Sequence, residues 1–411
     1  MNLKGKIKIY FTLLVGIFFL VSCTSESTNI PEEIVEEETE VVDPNPSTVF
    51  YKGTTMGFVK HQEEFGNVVF KEDGVAKDPF VSVQEHGGNI VRFRIDLPPY
   101  KNNFTQGKPD VDFRSPDKVK NGMQRALNAG LKTQLTFSYK SMALESQSNK
   151  NDYVAPLAWQ PIANELSKLK DSVYHHTYTT LKNYVNSGVI PEIVSIGNET
   201  NWHILQQNLP ENELAAYSAT RTVSLLNEGT KAVRDINAEY SLDIQIAIHI
   251  FDASNLVWWM EEHVTKGLDF DIIGLSHYHD WHSLGNFSNW SAVVKWVRTN
   301  YNKDFLMLET AQLFTTNGYD NHVNILGTGN IPAGYANPPT TATQRLYSRD
   351  LAQEILDAGG LGVIVWGGEW VGSTTLIYAD QWGAGSSWEN KTFWDQNHNL
   401  HDGINWMSDV E

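Results

Sequence analysis

Short apolar runs alternate with longer amphipathic stretches along the chain from residue 49 onward. Eight of these runs are rich in β-branched and aromatic residues, and most are continuously apolar rather than alternating in polarity. They span residues 51–58, 89–95, 131–137, 192–197, 243–250, 271–278, 305–310 and 361–367. Continuous apolar runs are typical of parallel strands that are covered on both faces. The pattern therefore predicts eight buried parallel strands.

The stretches between the runs show the spacing of amphipathic helices. They include residues 115–130, 173–188, 216–236 and 341–360. The first begins with Ser115 followed by a proline and stops at Gly130, which are ordinary start and stop signals of a helix. Strands that alternate with helices in this way predict a single (β/α)8 barrel over residues 49–411.

The first 22 residues have the pattern of a bacterial export signal. Three lysines precede the apolar run IYFTLLVGIFFLVS, a basic segment and short hydrophobic segment typical of a signal peptide. The tetrapeptide LVSC resembles the lipobox of bacterial lipoproteins, in which the cysteine is lipidated and becomes the mature N-terminus. Cys23 is the only cysteine of the chain, so the mature protein has no internal disulfide. We expect a signal peptide over 1–22 and a lipid anchor on Cys23.

Residues 24–48 follow with seven Glu and one Asp and no basic residue. Such a segment buries too little apolar surface to fold, so 23–48 is expected to be the lipidated cysteine and a flexible acidic linker. Acidic residues after a lipidated cysteine resemble surface-export signals, which favours an outer-membrane lipoprotein at the cell surface, with a periplasm-facing anchor as the alternative. The formal net charge is −18, and loss of the three signal lysines makes it about −21 (−18 − 3). This charge argues against nucleic acid as a partner and against membrane contact other than through the lipid.

Two glutamates lie at the ends of predicted strands. Glu199 follows the fourth strand, next to Asn198, and Glu309 closes the seventh. Catalytic groups of (β/α)8 enzymes lie at the C-terminal ends of the strands. A pair of carboxylates is what glycoside hydrolysis requires, since one protonates the leaving oxygen and the other attacks the sugar or activates water. A structural salt bridge is the alternative for either glutamate taken singly.

Six segments resemble one family. They are KGTTMGFVKHQEEFG, SIGNETN, IGLSHYHDWH, LETA, GGLGVIVWGGEW and WGAGSSWENKTFWD. In this order and spacing they resemble the arabinogalactan endo-β-1,4-galactanases of glycoside hydrolase family 53, which belong to a clan of retaining (β/α)8 glycosidases. The resemblance implies that Glu199 is the acid/base and Glu309 the nucleophile, that the substrate is β-1,4-galactan, and that no organic cofactor is needed.

The resemblance also implies a set of substrate-binding residues. They are Arg92, Tyr139, Asn198, His277, Tyr278, Trp281 and Trp366. Of Arg92 and Arg94 we expect only one, Arg92, to point into the barrel. Asn198 is expected to bind the sugar 2-hydroxyl, either Tyr278 or His277 to orient Glu309, and Trp366 to lie beneath the sugar at the cleavage point.

The chain departs from the family at three positions near these residues. Ser138 stands where the family has histidine, Ser141 where it has aspartate, and His277 where it has tyrosine. These departures leave the catalytic pair intact but predict altered preference for the sugars on the non-reducing side of the cleavage point, or a related β-linked substrate.

A second implied site is a calcium site. The run NGYDNHVN places Asp320, His322 and Asn324 at alternate positions, as in some bacterial members of the family that bind calcium. Ser386 and Glu389 of GSSWEN match the remaining ligands. Calcium prefers hard oxygen ligands, so His322 would offer its backbone carbonyl. A polar surface loop without metal is the alternative.

Three other functions remain open at this point. A mannanase, xylanase or glucanase of the same clan would share the two glutamates but not the GSSWEN segment. A surface glycan-binding lipoprotein would have no reason to keep both glutamates, and an unrelated structural lipoprotein would leave the aromatic residues at the strand ends unexplained. Nothing in the sequence indicates oligomerisation, and a monomer is expected.

Overall fold

The computed structural model describes residues 49–98, 100, 112–141, 154–209, 213, 215–376 and 384–411. Its strands are β1 (Tyr51–Thr55), β2 (Lys71–Glu72), β3 (Val75–Ala76), β4 (Ile90–Leu97), β5 (Lys132–Ser141), β6 (Ile193–Ile196), β7 (Gln245–Phe251), β8 (Ile272–His277), β9 (Asp304–Thr310) and β10 (Gly362–Val365). Eight of them form a closed parallel barrel in the order β1-β10-β9-β8-β7-β6-β5-β4, while β2 and β3 form a small hairpin. All eight predicted strands belong to the barrel, which confirms the predicted fold.

Helices cover the outside of the barrel. They are α1 (Val59–Phe65), α2 (Pro79–Glu85), α3 (Pro116–Asn128), α4 (Leu166–Asn186), α5 (Ala219–Tyr240), α6 (Leu256–Val264), α7 (Trp290–Tyr301), α8 (Thr341–Asp357) and the short α9 (Trp406–Asp409). The four helical stretches predicted from the sequence correspond to α3, α4, α5 and α8. The eighth strand is followed by loops, 3₁₀ turns and α9, so the last βα unit has no full-length helix among the described residues. Within the described ranges, none of the helices combines the length and apolar content needed to cross a membrane.

The lower part of the barrel interior is filled by apolar side chains. The cluster is made by Tyr51, Ile90, Ile193, Ala247, Ile272, Leu306, Leu308, Leu361 and Ile364. Because successive side chains of a strand point to opposite faces, residues two positions beyond this layer also face inward, toward the C-terminal opening. Arg92 lies two residues after Ile90, and His249 lies two residues after Ala247. The apolar layer therefore closes the bottom of the barrel and leaves polar side chains at its upper end.

A β-bulge in β9 decides where its glutamate points. Leu275 of β8 pairs with Met307, but the next residue, Ser276, pairs with Glu309, so Leu308 is one extra residue in β9. In a regular ladder, Leu308 would face inward and Glu309 outward. A bulge inserts one residue and redirects the side chains after it. As a result, Glu309 faces the barrel interior.

The predicted signal peptide, Cys23 and the acidic linker, together covering residues 1–48, lie outside the described residues.

Candidate active site

Glu199 and Glu309 approach each other at the C-terminal opening of the barrel. Glu199 lies three residues beyond the end of β6, and its backbone has φ 53°, a left-handed conformation that is uncommon for a residue other than glycine. Glu309 lies on β9 and is only 8% exposed. One carboxylate oxygen of Glu199 lies within 4.8 Å of one carboxylate oxygen of Glu309. Retaining glycosidases hold their carboxyl groups about 5–5.5 Å apart, whereas inverting enzymes need about 6.5–9.5 Å to admit a water molecule.

The carboxylate of Glu309 has a hydrogen-bond donor on each oxygen. Arg92 donates from Nη1 to Oε2 at 2.6 Å, and the Tyr278 hydroxyl donates to Oε1 at 2.9 Å. Burial raises the pKa of Tyr278 well above its usual value, and the charge of Glu309 raises it further, so the hydroxyl keeps its proton. The two donors fix the orientation of Glu309 and offset its negative charge. Tyr278 is thus the residue that orients Glu309, while His277 is not.

Arg92 also connects Glu309 on β9 with Asn198, which follows β6. Its Nη2 donates to the Asn198 side-chain oxygen at 2.6 Å, and its Nε donates to the Thr136 hydroxyl at 3.3 Å. The side chain of Arg92 is fully buried, as its inward position on β4 requires. Because the oxygen of Asn198 accepts from Arg92, the amide nitrogen of Asn198 is the group that can donate to a sugar hydroxyl.

Tryptophans stand on the walls of the opening. Trp366 directly follows β10, and the Arg92 guanidinium lies 5.6 Å from its ring centroid. Trp281 is 43% exposed, and its ring lies 5.0 Å from that of Tyr278 and 6.1 Å from that of Trp388. Both predicted tryptophans therefore border the space above the two glutamates.

His249 belongs to the same site, although it is not among the residues predicted from the sequence. A ring nitrogen of His249 lies within 4.8 Å of carboxylate oxygens of both glutamates. Its Nε2 pairs with the Ser276 hydroxyl at 2.8 Å, while its buried Nδ1 has no hydrogen-bond partner among the described residues. Burial lowers the pKa of His249 well below its usual value, and the positive charge of Arg92 lowers it further, so the ring is neutral. The two-residue spacing from Ala247 was the signal that could have revealed it.

Two predicted substrate-binding residues point away from the opening. Tyr139 is buried between the barrel and the helices, and its hydroxyl pairs with Thr177 of α4 at 2.7 Å. It sits at an irregularity of β5 with φ 56°, and its hydroxyl is directed toward α4 rather than toward the two glutamates. His277 packs edge-on against Trp290 of α7, with ring centroids 4.7 Å apart. Because Tyr278 faces inward, the residue before it on the strand faces outward.

The expectation that Arg94 would point away from Arg92 was wrong. Residues two positions apart on a strand share a face, and both arginines line the same small cavity beside Trp366. Arg94 pairs with Asp96, Nε to Oδ1 at 3.2 Å. The hydroxyl of Ser138 donates to the same Asp96 and to the Ile95 carbonyl oxygen. The side chain of Ser141 lies outside the described residues.

The five predicted calcium-site residues come together in two loops beside the barrel opening. Asp320 Oδ2 accepts hydrogen bonds from the backbone N–H of Ser386 at 2.6 Å and of Ser373 at 3.1 Å. Glu389 Oε1 accepts from the Tyr319 N–H at 2.6 Å. The Ser386 hydroxyl donates to the Trp370 carbonyl at 2.8 Å, so this residue supports Asp320 through its backbone rather than offering a vacant hydroxyl.

Two oxygens of this cluster fit a cation. Glu389 Oε2 and the Asn324 side-chain oxygen are buried without a hydrogen-bond partner in the described part of the chain. Burial raises the pKa of Glu389, and the charge of Asp320 raises it further. A buried oxygen without a donor costs free energy unless something supplies positive charge. The donor set of two carboxylates, an amide oxygen and a backbone carbonyl of His322 matches the hard oxygen ligands of calcium.

Comparisons with known proteins match this chain to one family. The family model of Glycosyl hydrolase family 53 matches residues 51–407. An arabinogalactan endo-β-1,4-galactanase of Cellvibrio japonicus is 31% identical over 85% of this chain and 87% of its own length. An endo-β-1,4-galactanase of Bacillus subtilis is 27% identical over 90% of this chain and 82% of its own length. Among solved structures, the GH53 catalytic domain of Ignisphaera aggregans superposes with a TM-score of 0.74, at 26% identity, over 89% of this chain and 98% of that domain.

Proposed function

This chain belongs to glycosyl hydrolase family 53, and we propose that it is an endo-acting β-1,4-galactanase that cleaves galactan or type I arabinogalactan with retention of configuration. The two relatives described above carry that activity in their names. The observation that carries the proposal is the pair Glu199 and Glu309, whose carboxylate oxygens approach within 4.8 Å while Arg92 and Tyr278 hold one of them. That spacing suits direct attack by one carboxylate on the sugar.

In the first step, a carboxylate oxygen of Glu309 attacks the anomeric carbon. The glycosidic C–O bond breaks, and Glu199 gives its proton to the departing oxygen. The product is a covalent galactosyl ester of Glu309 and a shortened chain with a new hydroxyl. Asn198, held by Arg92, donates its amide hydrogen to the 2-hydroxyl of the sugar, where hydrogen bonds strengthen in the transition state.

In the second step, Glu199 acts as a base. It takes a proton from water, the water oxygen bonds to the anomeric carbon, and Glu309 leaves as a carboxylate. Two inversions give net retention. Arg92 and Tyr278 stabilise the returning negative charge of Glu309 by donating hydrogen bonds to it without rearrangement, because both donors already lie at hydrogen-bond distance.

The first test is the release of reducing ends from β-1,4-galactan, run beside mannan, xylan and cellulose. Fast release from galactan alone, lost in Glu309→Gln, is the expected result. Release from a different polymer would replace the galactanase with another activity of the clan. No release from any polymer, with binding of galactan retained, would favour the surface glycan-binding alternative.

We further infer that a calcium ion binds between the two loops that carry Asp320 and Glu389. Asp320, Asn324 and Glu389 would hold it through side-chain oxygens and His322 through its carbonyl, with Ser386 orienting Asp320. The ion would join the loops and take no part in proton transfer. Titration calorimetry with calcium should show one site, and chelation should lower the thermal unfolding midpoint. Glu389→Gln should abolish both effects, whereas unchanged binding in that variant would exclude the site.

We also propose that Cys23 is lipidated and that residues 24–48 connect the lipid to the barrel at the outer surface of the outer membrane. The support is the sequence pattern alone. In a Gram-negative host, Cys23→Ala should move the protein from the membrane fraction to the soluble fraction, and protease added to intact cells should remove the wild-type protein. Protection from protease would place the anchor facing the periplasm. Light scattering on the protein without residues 1–48 should give a monomer mass.

A further inference from the structure

Three aromatic rings form a cluster on the rim of the barrel, and one of them, Trp202, lies three residues after Glu199. The rings of Trp202 and Trp258 lie 4.7 Å apart at an interplanar angle of 33°. Tyr217 contacts both, at 6.3 Å from Trp202 and 5.8 Å from Trp258. We call these three residues the rim aromatic cluster. Trp202 is 47% exposed, so one side of its ring remains open to solvent.

The backbone that carries Trp202 is held firmly to its neighbours. Trp259 of α6 donates its indole N–H to the Thr200 carbonyl at 3.2 Å. Asn201 exchanges two hydrogen bonds of 2.8 Å with the backbone of Phe251, at the end of β7. The indole of Trp202 is therefore exposed on a rigid support rather than on a free loop, which lowers the entropy cost of binding a ligand there.

The strand order places the rim aromatic cluster on the leaving-group side of the site. In the closed barrel, β6 lies four strands away from β10 in both directions, so the two strands are opposite each other. Trp366 follows β10 and lies beside Arg92, where the sugar attacked by Glu309 would sit. Glu199 protonates the oxygen that joins this sugar to the next one. The sugar beyond that oxygen therefore lies toward β6 and β7, the wall that carries Trp202.

We propose that the rim aromatic cluster binds a galactosyl unit on the reducing-end side of the cleavage point, with the sugar ring stacked on the open face of Trp202. The proposal rests on the proposed function. A β-galactosyl ring has a face of C–H groups that suits contact with an indole, and the large ring area of tryptophan makes such contacts strong at interfaces. This binding acts only while the leaving group is present, so it accelerates the first step and leaves the second unchanged.

The test compares two substrates in Trp202→Ala. One is galactan, which places sugars on both sides of the cleavage point. The other is an aryl β-1,4-galactobioside, which has an aryl leaving group and no sugar on that side. The kcat/KM on galactan should fall by roughly 10- to 50-fold, while the value on the aryl substrate should change by less than about twofold. Trp202→Phe should retain most of the activity on galactan, because it keeps an aromatic face.

The control is Leu346→Ala, which removes another exposed apolar side chain, 42% exposed, from the distant helix α8. It should leave both substrates unaffected, and unfolding midpoints should show that every variant folds. Equal losses of Trp202→Ala on the two substrates, or no loss on galactan, would overturn the proposal. If the wild type cleaves another β-linked polymer, the galactanase assignment fails. The subsite is then decided by comparing the loss of kcat/KM in Trp202→Ala on that polymer with the loss on the corresponding aryl disaccharide. An inactive wild type would overturn both.

Discussion

Replacing Tyr278 with phenylalanine removes one hydrogen bond from Glu309 and keeps the ring in place. The hydroxyl donates to Oε1 at 2.9 Å, and Arg92 continues to donate to the other oxygen at 2.6 Å. Both Tyr278 and Glu309 are buried, so water does not simply replace the lost donor. A hydrogen bond to a charged group contributes about 1.5–3 kcal/mol, which corresponds to roughly 10- to 150-fold in a rate.

The lost hydrogen bond should slow the second step, in which water hydrolyses the galactosyl ester. In the free enzyme the donor stabilises the reactant carboxylate, which makes Glu309 a less reactive nucleophile. In the galactosyl ester the charge is absent, and it returns as water displaces Glu309, so the donor stabilises the transition state of that step. We expect Tyr278→Phe to lower kcat by about 10- to 150-fold. We expect KM to fall as well, because the ester accumulates.

Stopped-flow kinetics with an aryl galactobioside measures this directly. The variant should release a burst of aryl alcohol equal to the enzyme concentration, and mass spectrometry should detect the galactosyl-enzyme. The matched control is Tyr335→Phe, which removes an equal hydrogen bond of 2.9 Å to Asp350 in the outer layer and should not change the kinetics. A kcat within twofold of wild type, or a lower kcat with unchanged KM and no burst, would refute the reasoning.

Burial raises the pKa of Glu369 to about 8 from the usual 4.5. The folded state therefore keeps a proton that the unfolded chain releases, and stability should fall between those pH values by up to about 1.4 kcal/mol per pH unit. Denaturant unfolding at several pH values should show that the free energy of unfolding depends less steeply on pH in Glu369→Gln than in the wild type. An equal pH dependence would contradict the raised pKa of Glu369. Zn²⁺ should compete with substrate, because His249 and the two glutamates converge within 4.8 Å and imidazole and carboxylate are ordinary zinc ligands. His249→Asn should raise the half-inhibiting Zn²⁺ concentration, and an unchanged value would count against this site. In Gly372→Ala the new Cβ would lie 2.0 Å from Glu389 Oε2, so calcium binding by calorimetry should weaken and the protein should lose about 1–3 kcal/mol of stability. Gly327→Ala, whose Cβ meets nothing within 4 Å, should behave as wild type, and equal stability of the two variants would refute the prediction.

The barrel could be predicted because its strands are continuous apolar runs separated by helical patterns. Periodicity also places Arg92 inward, two residues beyond Ile90, although the same rule places Arg94 on that face. The last βα unit could not be predicted in the same way. Its strand has the expected pattern, but the described residues after it, 366–376 and 384–411, form loops, 3₁₀ turns and the short α9 instead of a full-length helix.

Alternation along a strand does not predict the direction of a side chain where the strand is irregular. Tyr139 lies at an irregularity of β5 and turns toward the helices, which no spacing in FSYKSM reveals. Glu309 faces inward only because Leu308 is an extra residue in β9, and that bulge depends on pairing with β8. His249 carries no motif of its own. Its two-residue spacing from Ala247 indicates only that it faces inward, and its approach to both glutamates depends on the neighbouring strands.

The closure of the barrel joins the two ends of the folded chain. Strand β1 pairs on one side with β4 and on the other with β10, and the Thr54 hydroxyl donates to the Val365 carbonyl across 311 positions. A ribosome that adds roughly 5–20 residues per second needs about 15–60 s to make that stretch. During this interval the outer edge of β1 has no partner strand. The active site, whose groups come from strands throughout the barrel, therefore forms only when nearly all of the chain has been synthesised.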